Sequence, residues 1–212
     1  MKITKREHAC LVLEQSGATL VIDPGHFDAP FTEPGLVAIV VTHEHGDHLT
    51  RANLDALLAH APGAVELFAP AGVAAAHPDY HWQIVDGGDV RAAGPFSLAF
   101  SGSRHAMIHR SIPIVDNVGV FVNETLYYPG DSFTVPDREV PVLAVPSSAP
   151  WLKIGEVMDY LDAVKPRLAF PTHERVNSDT GNAMANARIT SVVESHGGRV
   201  TVLQPGESLE LD

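Results

Sequence analysis

The chain has 212 residues, 45% of them hydrophobic, which is enough to fill the core of one domain spanning 1–212. Its formal net charge is −12, with no basic cluster beyond Lys2, Lys5 and Arg6, which argues against a nucleic-acid-binding surface. No stretch is apolar over the length of a membrane-crossing helix, the N-terminal apolar patch ends at Glu14 without a small-residue cleavage site, and the lone Cys10 allows no internal disulfide. A cytoplasmic protein with a buried structural thiol is therefore expected.

Residues 2–13 and 18–22 read as two strands joined around Gly17 as a hairpin. His8 falls on the first, where a hydrogen-bonded core histidine is expected rather than a ligand, and a role behind a ligand would also fit. The second ends in Ile22-Asp23-Pro24-Gly25. An acid there either orients a metal-bound histidine from behind or closes an Asx turn. His26 to Gly35 has no period and carries Phe27 and Phe31, as a connection or a loop that closes over substrate would.

Val37 to His48, VAIVVTHEHGDH, carries the chemistry. Its β-branched run reads as a strand buried on both faces. The run stops in His43, His45, Asp47 and His48, three histidines and an aspartate within six residues. Strand alternation would send His43 and His45 to one side and Glu44 to the other. Gly46 permits a turn, and a helix is expected to begin near Asp47–His48, since LTRANLDALLAH has apolar residues at helical spacing. Imidazole and carboxylate are the donors that a borderline divalent cation prefers.

Beyond it, 63–70 reads as a strand and 71–80 as a brief helix ended by Pro78, with His77 and His81 near turns. Residues 83–90 and 97–100 read as strands. His105 then stands just past a strand, and His109 follows four residues later. Residues 118–122 and 125–128 form another expected hairpin. It runs into Pro129-Gly130-Asp131-Ser132, where an aspartate again follows a strand end. Residues 140–145 read as a buried strand, 153–164 as a helix and 167–170 as a strand leading to Pro171-Thr172-His173. A last helix is expected over 183–196, ended by Gly197-Gly198, and 199–203 and 207–211 read as closing strands. There are no repeats. Two packed sheets with helices on their outer faces suit this order.

The ordered set HxHxDH, then His105, Asp131 and His173, resembles the metallo-β-lactamase superfamily across essentially the whole chain. It is most similar to the stand-alone branch that includes the ascorbate-6-phosphate lactonase-like proteins. The resemblance implies an αββα sandwich of two mixed sheets with the site at one edge. It implies that His43, His45 and His105 bind one metal ion, that Asp47, His48 and His173 bind a second, and that Asp131 bridges them. Chemistry supports the same division, because a bridging carboxylate lets two cations sit roughly 3.5–4 Å apart.

Departures from other branches narrow the expectation. Common β-lactamases use a cysteine where Asp131 stands here. Thioesterases of the glyoxalase type, nucleases and flavodiiron proteins carry extra domains or arms that this sequence does not show. What remains is a dinuclear hydrolase whose bridging hydroxide attacks a small, anionic ester, lactone or phosphodiester. Its two divalent ions would be Zn2+, with Mn2+ or Fe2+ as alternatives. Asp47 would help hold the hydroxide, His109 is the candidate general acid, and Phe27, Phe31 and Trp151 are candidate pocket walls. The expected partner is a small-molecule substrate, not a nucleic acid or a membrane, and the sequence is compatible with a homo-oligomer. The competing readings are a metal-binding protein without turnover and a nuclease or phosphodiesterase.

Overall fold

The computed structural model describes residues 1–211. Its first sheet is built mainly from the N-terminal half. β1 (Lys2–Lys5), β2 (Leu11–Gln15) and β3 (Ala18–Ile22) form an antiparallel meander. β4 (Leu36–Val40), β5 (Glu66–Ala69) and β6 (Trp82–Ile84) then add in parallel beside β3. The last strand of the chain, β14 (Ser208–Glu210), pairs antiparallel with β1 and completes seven strands.

The second sheet also has seven strands. β7 (Val90–Ala93), β8 (Phe96–Ser101), β9 (Gly119–Val122) and β10 (Leu126–Tyr128) run antiparallel. β11 (Val142–Pro146), β12 (Leu168–Thr172) and β13 (Arg199–Val200) continue in parallel. Helices α1 (Arg51–Ala59) and α2 (Ala71–Ala76) pack on the outer face of the first sheet, and α3 (Ile154–Val164) and α4 (Asp179–Ser195) on that of the second.

Period-two alternation explains the layering. In β4, Ala38 and Val40 face the second sheet, whereas Ile39 turns outward onto Leu54 and Leu57 of α1. In β11, Ala144 faces inward, whereas Leu143 and Val145 meet Val157 and Leu161 of α3 and Ile189 of α4. These strands are apolar throughout because both of their faces are covered. Each fully buried aliphatic side chain contributes about 1.5–3 kcal/mol to holding the layers together.

Several boundaries differ from the expected ones. The expected 2–13 strand is two strands separated by a turn at Arg6–Cys10, in which His8 adopts φ 59°. The expected 83–90 strand is also divided. β6 belongs to one sheet and β7 to the other, and the turn through Gly87-Gly88 carries the chain across, with Gly88 at φ 95°. Helix α1 starts at Arg51, not near Asp47, because Thr50 caps it by accepting a hydrogen bond from the Asn53 amide. Helix α4 starts at Asp179, earlier than the apolar pattern suggests, because Ser178 caps it in the same way through the Gly181 amide. Cys10 is buried as expected.

Candidate metal centre

The candidate ligands all stand where chain leaves the C-terminal ends of strands: His43 after β4, His105 after β8, Asp131 after β10 and His173 directly after β12. Their donor atoms fall into two groups. One is His43, His45 and His105; the other is Asp47, His48, Asp131 and His173, and ligand atoms within each group lie within 4.8 Å of one another. The three imidazoles of the first group meet nearly edge to face, with centroids 4.7–4.8 Å apart. In the second, His48 Nε2 lies 3.2 Å and His173 Nε2 3.0 Å from Asp131 Oδ1, and His173 Nε2 lies 3.6 Å from Asp47 Oδ2. The other oxygen of Asp131 turns to the first group, 3.3 Å from His105 Nε2.

Hydrogen bonds behind the rings fix the imidazole tautomers. His173 Nδ1 donates to Ser148 O and His105 Nδ1 to Ala106 O, both at 2.5 Å. His48 Nδ1 donates to Asp23 Oδ2 at 2.7 Å. Thr42 Oγ1 gives its proton to the same Asp23 oxygen at 2.7 Å, so His43 Nδ1, 3.1 Å away, donates to Thr42. Each ring therefore presents an Nε2 lone pair to the centre of the cluster.

The result is a set of buried acceptors facing one another. His48 Nε2 and His173 Nε2 are 3.0 Å apart, and His43 Nε2, His105 Nε2 and Asp131 Oδ1 have no hydrogen-bond donor among the described residues. Such an arrangement needs a cation at its centre, either a proton or a metal ion. Burial disfavours charge on His48, yet the Asp131 and Asp23 carboxylates raise its pKa well above the usual value. Burial alone would raise Asp131, but His173 and His48 hold it well below the usual carboxylate range. Burial, reinforced by neighbouring imidazoles, lowers His43 and His45 and favours the neutral form that ligates metal. The donor set fits divalent cations.

Close backbone approaches assemble the site. A Cβ on Gly25 would lie 1.8 Å from Asp47 O, so only glycine lets the Asp23-Pro24-Gly25 turn lie against the ligand turn. Asn53 of α1 clamps that turn by donating to Gly25 O at 2.6 Å. Gly130, at φ 61°, passes so close to Thr42 and Asn117 that a Cβ would clash with both side chains. Of the seven non-glycine residues at positive φ among the described residues, three are His8, Asp23 and His173, all in the site; the other four lie in hairpin turns or at a helix end. The cluster opens to solvent beside His45, Gly46 and Asp47, which are exposed or half-buried, whereas His43, His48, His105, Asp131 and His173 are buried.

Asp23 orients His48 and also accepts from the Thr42 amide, which selects one of its two sequence readings. Trp151 is buried, and its indole Nε1 donates to Asp131 Oδ2 at 2.7 Å, so it braces a candidate ligand instead of forming an open wall. Phe31 lies under the Arg6 guanidinium, and Phe27 packs on His8. His109 sits on the exposed loop after His105 and hydrogen-bonds Ser111 Oγ at 2.7 Å; no hydrogen bond joins it to the cluster among the described residues. Sequence reasoning missed Thr42, Ser148 and Asn117. Asn117 is buried, accepts from the Asp131 amide and donates to Pro129 O. Thr42 beside His43 was a readable signal, whereas nothing local marks Asn117.

Comparison with known proteins agrees with this architecture. The family model described as "Beta-lactamase superfamily domain" matches residues 2–173. Protein Rv0786c of Mycobacterium tuberculosis is 36% identical over 198 residues, covering 91% of this chain and 92% of its own. A UPF0173 metal-dependent hydrolase of Carboxydothermus hydrogenoformans is 27% identical over the full length of both chains. The solved structure of a metallo hydrolase from Ignicoccus hospitalis superposes with a TM-score of 0.74 at 18% identity, covering 100% of this chain and 99% of that one. The chain therefore belongs to the β-lactamase superfamily, with the metallo-β-lactamase fold and a candidate metal site.

Proposed function

We propose that the chain is a dinuclear hydrolase acting on a small anionic ester, lactone or phosphodiester. The observation that carries this reading is the placement of Asp131, with one oxygen toward His48 and His173 and the other toward His105. In this reading His43, His45 and His105 hold one ion, Asp47, His48 and His173 hold the other, and Asp131 spans both. Zinc suits the nitrogen-rich donor set, and manganese and iron are the alternatives. Two divalent ions held there would activate water and polarise the oxygen of the bond that breaks.

The protein's own part is to orient and to neutralise. The Nδ1–H bonds that the imidazoles donate to Ser148 O, Ala106 O, Thr42 Oγ1 and Asp23 Oδ2 aim the rings, so the site needs little reorganisation on binding. Asp47 and Asp131 remove only part of the charge of two divalent ions. The centre stays positive inside a chain of net charge −12. That contrast favours a substrate with a carboxylate or phosphate beside its scissile bond, and it repels extended polyanions at a distance. Access is from the His45–Asp47 side. His109 takes no assigned role, because its hydrogen bonds stay within its own loop.

The test is a matched substrate series on one scaffold, neutral and singly charged, compared with a short oligonucleotide. The expected result is greatest efficiency on the charged small substrate, abolished by a chelator. Greater efficiency on the oligonucleotide would favour a nuclease, and no turnover across esters, lactones and phosphodiesters would favour a binding protein.

A further inference from the structure

His8 is fully buried, and all four of its polar groups are engaged. Its carbonyl accepts from the His173 amide at 2.9 Å, its amide donates to Glu174 Oε1 at 3.1 Å, and its Nδ1 accepts from the Arg175 amide at 3.2 Å. The fourth group, Nε2, lies 3.3 Å from Asp47 Oδ2. An Nδ1 that accepts leaves the ring proton on Nε2, so Nε2 is a donor to Asp47 and has no lone pair for a metal. The ring also lies against that of His173, with centroids 3.7 Å apart, and is backed by Phe27 at 4.4 Å.

Asp47 needs such support. Its side chain is 24% exposed, and the His8 bond is its one side-chain hydrogen bond among the described residues. Its other close neighbours are the bare Nε2 atoms of His173 and His48, at 3.6 and 3.9 Å. His8 has a left-handed backbone, φ 59°, in the turn that carries its ring against both Asp47 and His173.

We propose that His8 is a positioning residue, an Nε2–H donor that holds the Asp47 carboxylate and backs the His173 ring, so that the Asp47–His48–His173 group is formed before an ion arrives. The proposal rests on the two-ion reading given above for its expected effect on metal binding, and on the ring's own proton for an independent one. His8 touches neither substrate nor ion. It acts through two residues that would.

The experiment is zinc titration by calorimetry with a competing chelator on wild type, His8→Phe and His8→Gln, with circular dichroism as a folding control. His8→Phe keeps an aromatic ring but lacks the donor. It should retain one tight site and weaken the other about 10–100-fold. His8→Gln can place an amide donor near the position of Nε2 and should recover most of that loss. Wild-type affinity in His8→Phe would overturn the proposal. So would a His8→Gln as weak as His8→Phe, which would assign the loss to packing. Should His8→Phe fail to fold, His8→Asn, too short to reach Asp47, replaces it, and equal affinities in the Asn and Gln variants would overturn the proposal. Long-range proton–nitrogen spectra of the metal-free wild type give the second readout. His8 should be the Nε2–H tautomer, and an Nδ1–H tautomer overturns the proposal whatever the metal count. A wild type that binds a single zinc ion would defeat the two-ion reading, and the tautomer then decides the role of His8.

Discussion

Trp151 and Asp131 share a 2.7 Å hydrogen bond from the indole Nε1–H to Oδ2, the oxygen that also faces His105. Asp131 is buried, so this neutral donor steadies a carboxylate that water does not reach. Trp151→Phe keeps the aromatic contact with Phe133 and removes the donor. We expect about 10–100-fold lower metal affinity or activity, with the melting temperature little changed. Wild-type affinity in this variant would show that the indole bond is incidental.

Asp131 and His173 should behave differently on truncation. Asp131→Ala removes a group that faces both ligand sets and should lower total bound metal well below wild type. His173→Ala should keep about one ion per chain. Elemental analysis of protein purified without added metal reads both. Two tightly held ions in His173→Ala would contradict the assignment of His173.

His105 and His109 give a sharper contrast, because they are close in sequence but differ in setting. His105→Ala should lose metal. His109→Ala should keep wild-type metal content, since its ring bonds only within the exposed loop. The reverse pattern, by the same elemental analysis, would refute the placement of the first ligand set.

Gly25→Ala tests the contact between the Asp23 turn and the ligand turn. The added methyl would lie 1.8 Å from Asp47 O, so backbone must move. We expect destabilisation at the upper end of the ~1–3 kcal/mol typical of overpacking, together with weaker metal binding. Gly17→Ala is the control. It has positive φ but no atom within 4 Å of the added carbon, and should cost only about 1 kcal/mol with metal binding unchanged. Denaturant melts and zinc titration separate the two.

Cys10 should resist thiol reagents in the native protein. Burial pushes its pKa well above the usual value, and the nearby Asp28 carboxylate adds to this. The reactive thiolate is therefore scarce and enclosed. Labelling with an aromatic disulfide should follow unfolding, and fast stoichiometric labelling of folded protein would contradict the burial.

The residues that spoke most clearly in the sequence were those whose chemistry is both local and unusual. HxHxDH announced itself, and Asp131 and His173 each follow an apolar run that could be read as a strand. The apolar strands of both sheets were legible because two covered faces leave little room for polar residues. Turns were less so. The Arg6–Cys10 turn lies inside a stretch of strand-like pattern, and nothing in its composition signals that His8 takes a left-handed conformation. The supports of the site were hidden for another reason. Ser148 acts through its backbone carbonyl, and Asn117 and Trp151 reach Asp131 from distant positions, so their partners exist only in the fold.

The bonds between His8 and the 173–175 turn also bear on the order in which the molecule is made. Translation delivers His43, His45 and His105 well before His173, so the first candidate set can gather while the second still lacks His173. His8 is separated by 166 residues from Glu174 and by 167 from Arg175, so it waits long for its partners, and β1 waits longer still for β14. Closing such long loops is slow. On the two-ion reading, ribosome-bound chains halted before residue 173 would be expected to capture one ion, and the second would arrive as a late event, coupled to the docking of His8 on the 173–175 turn.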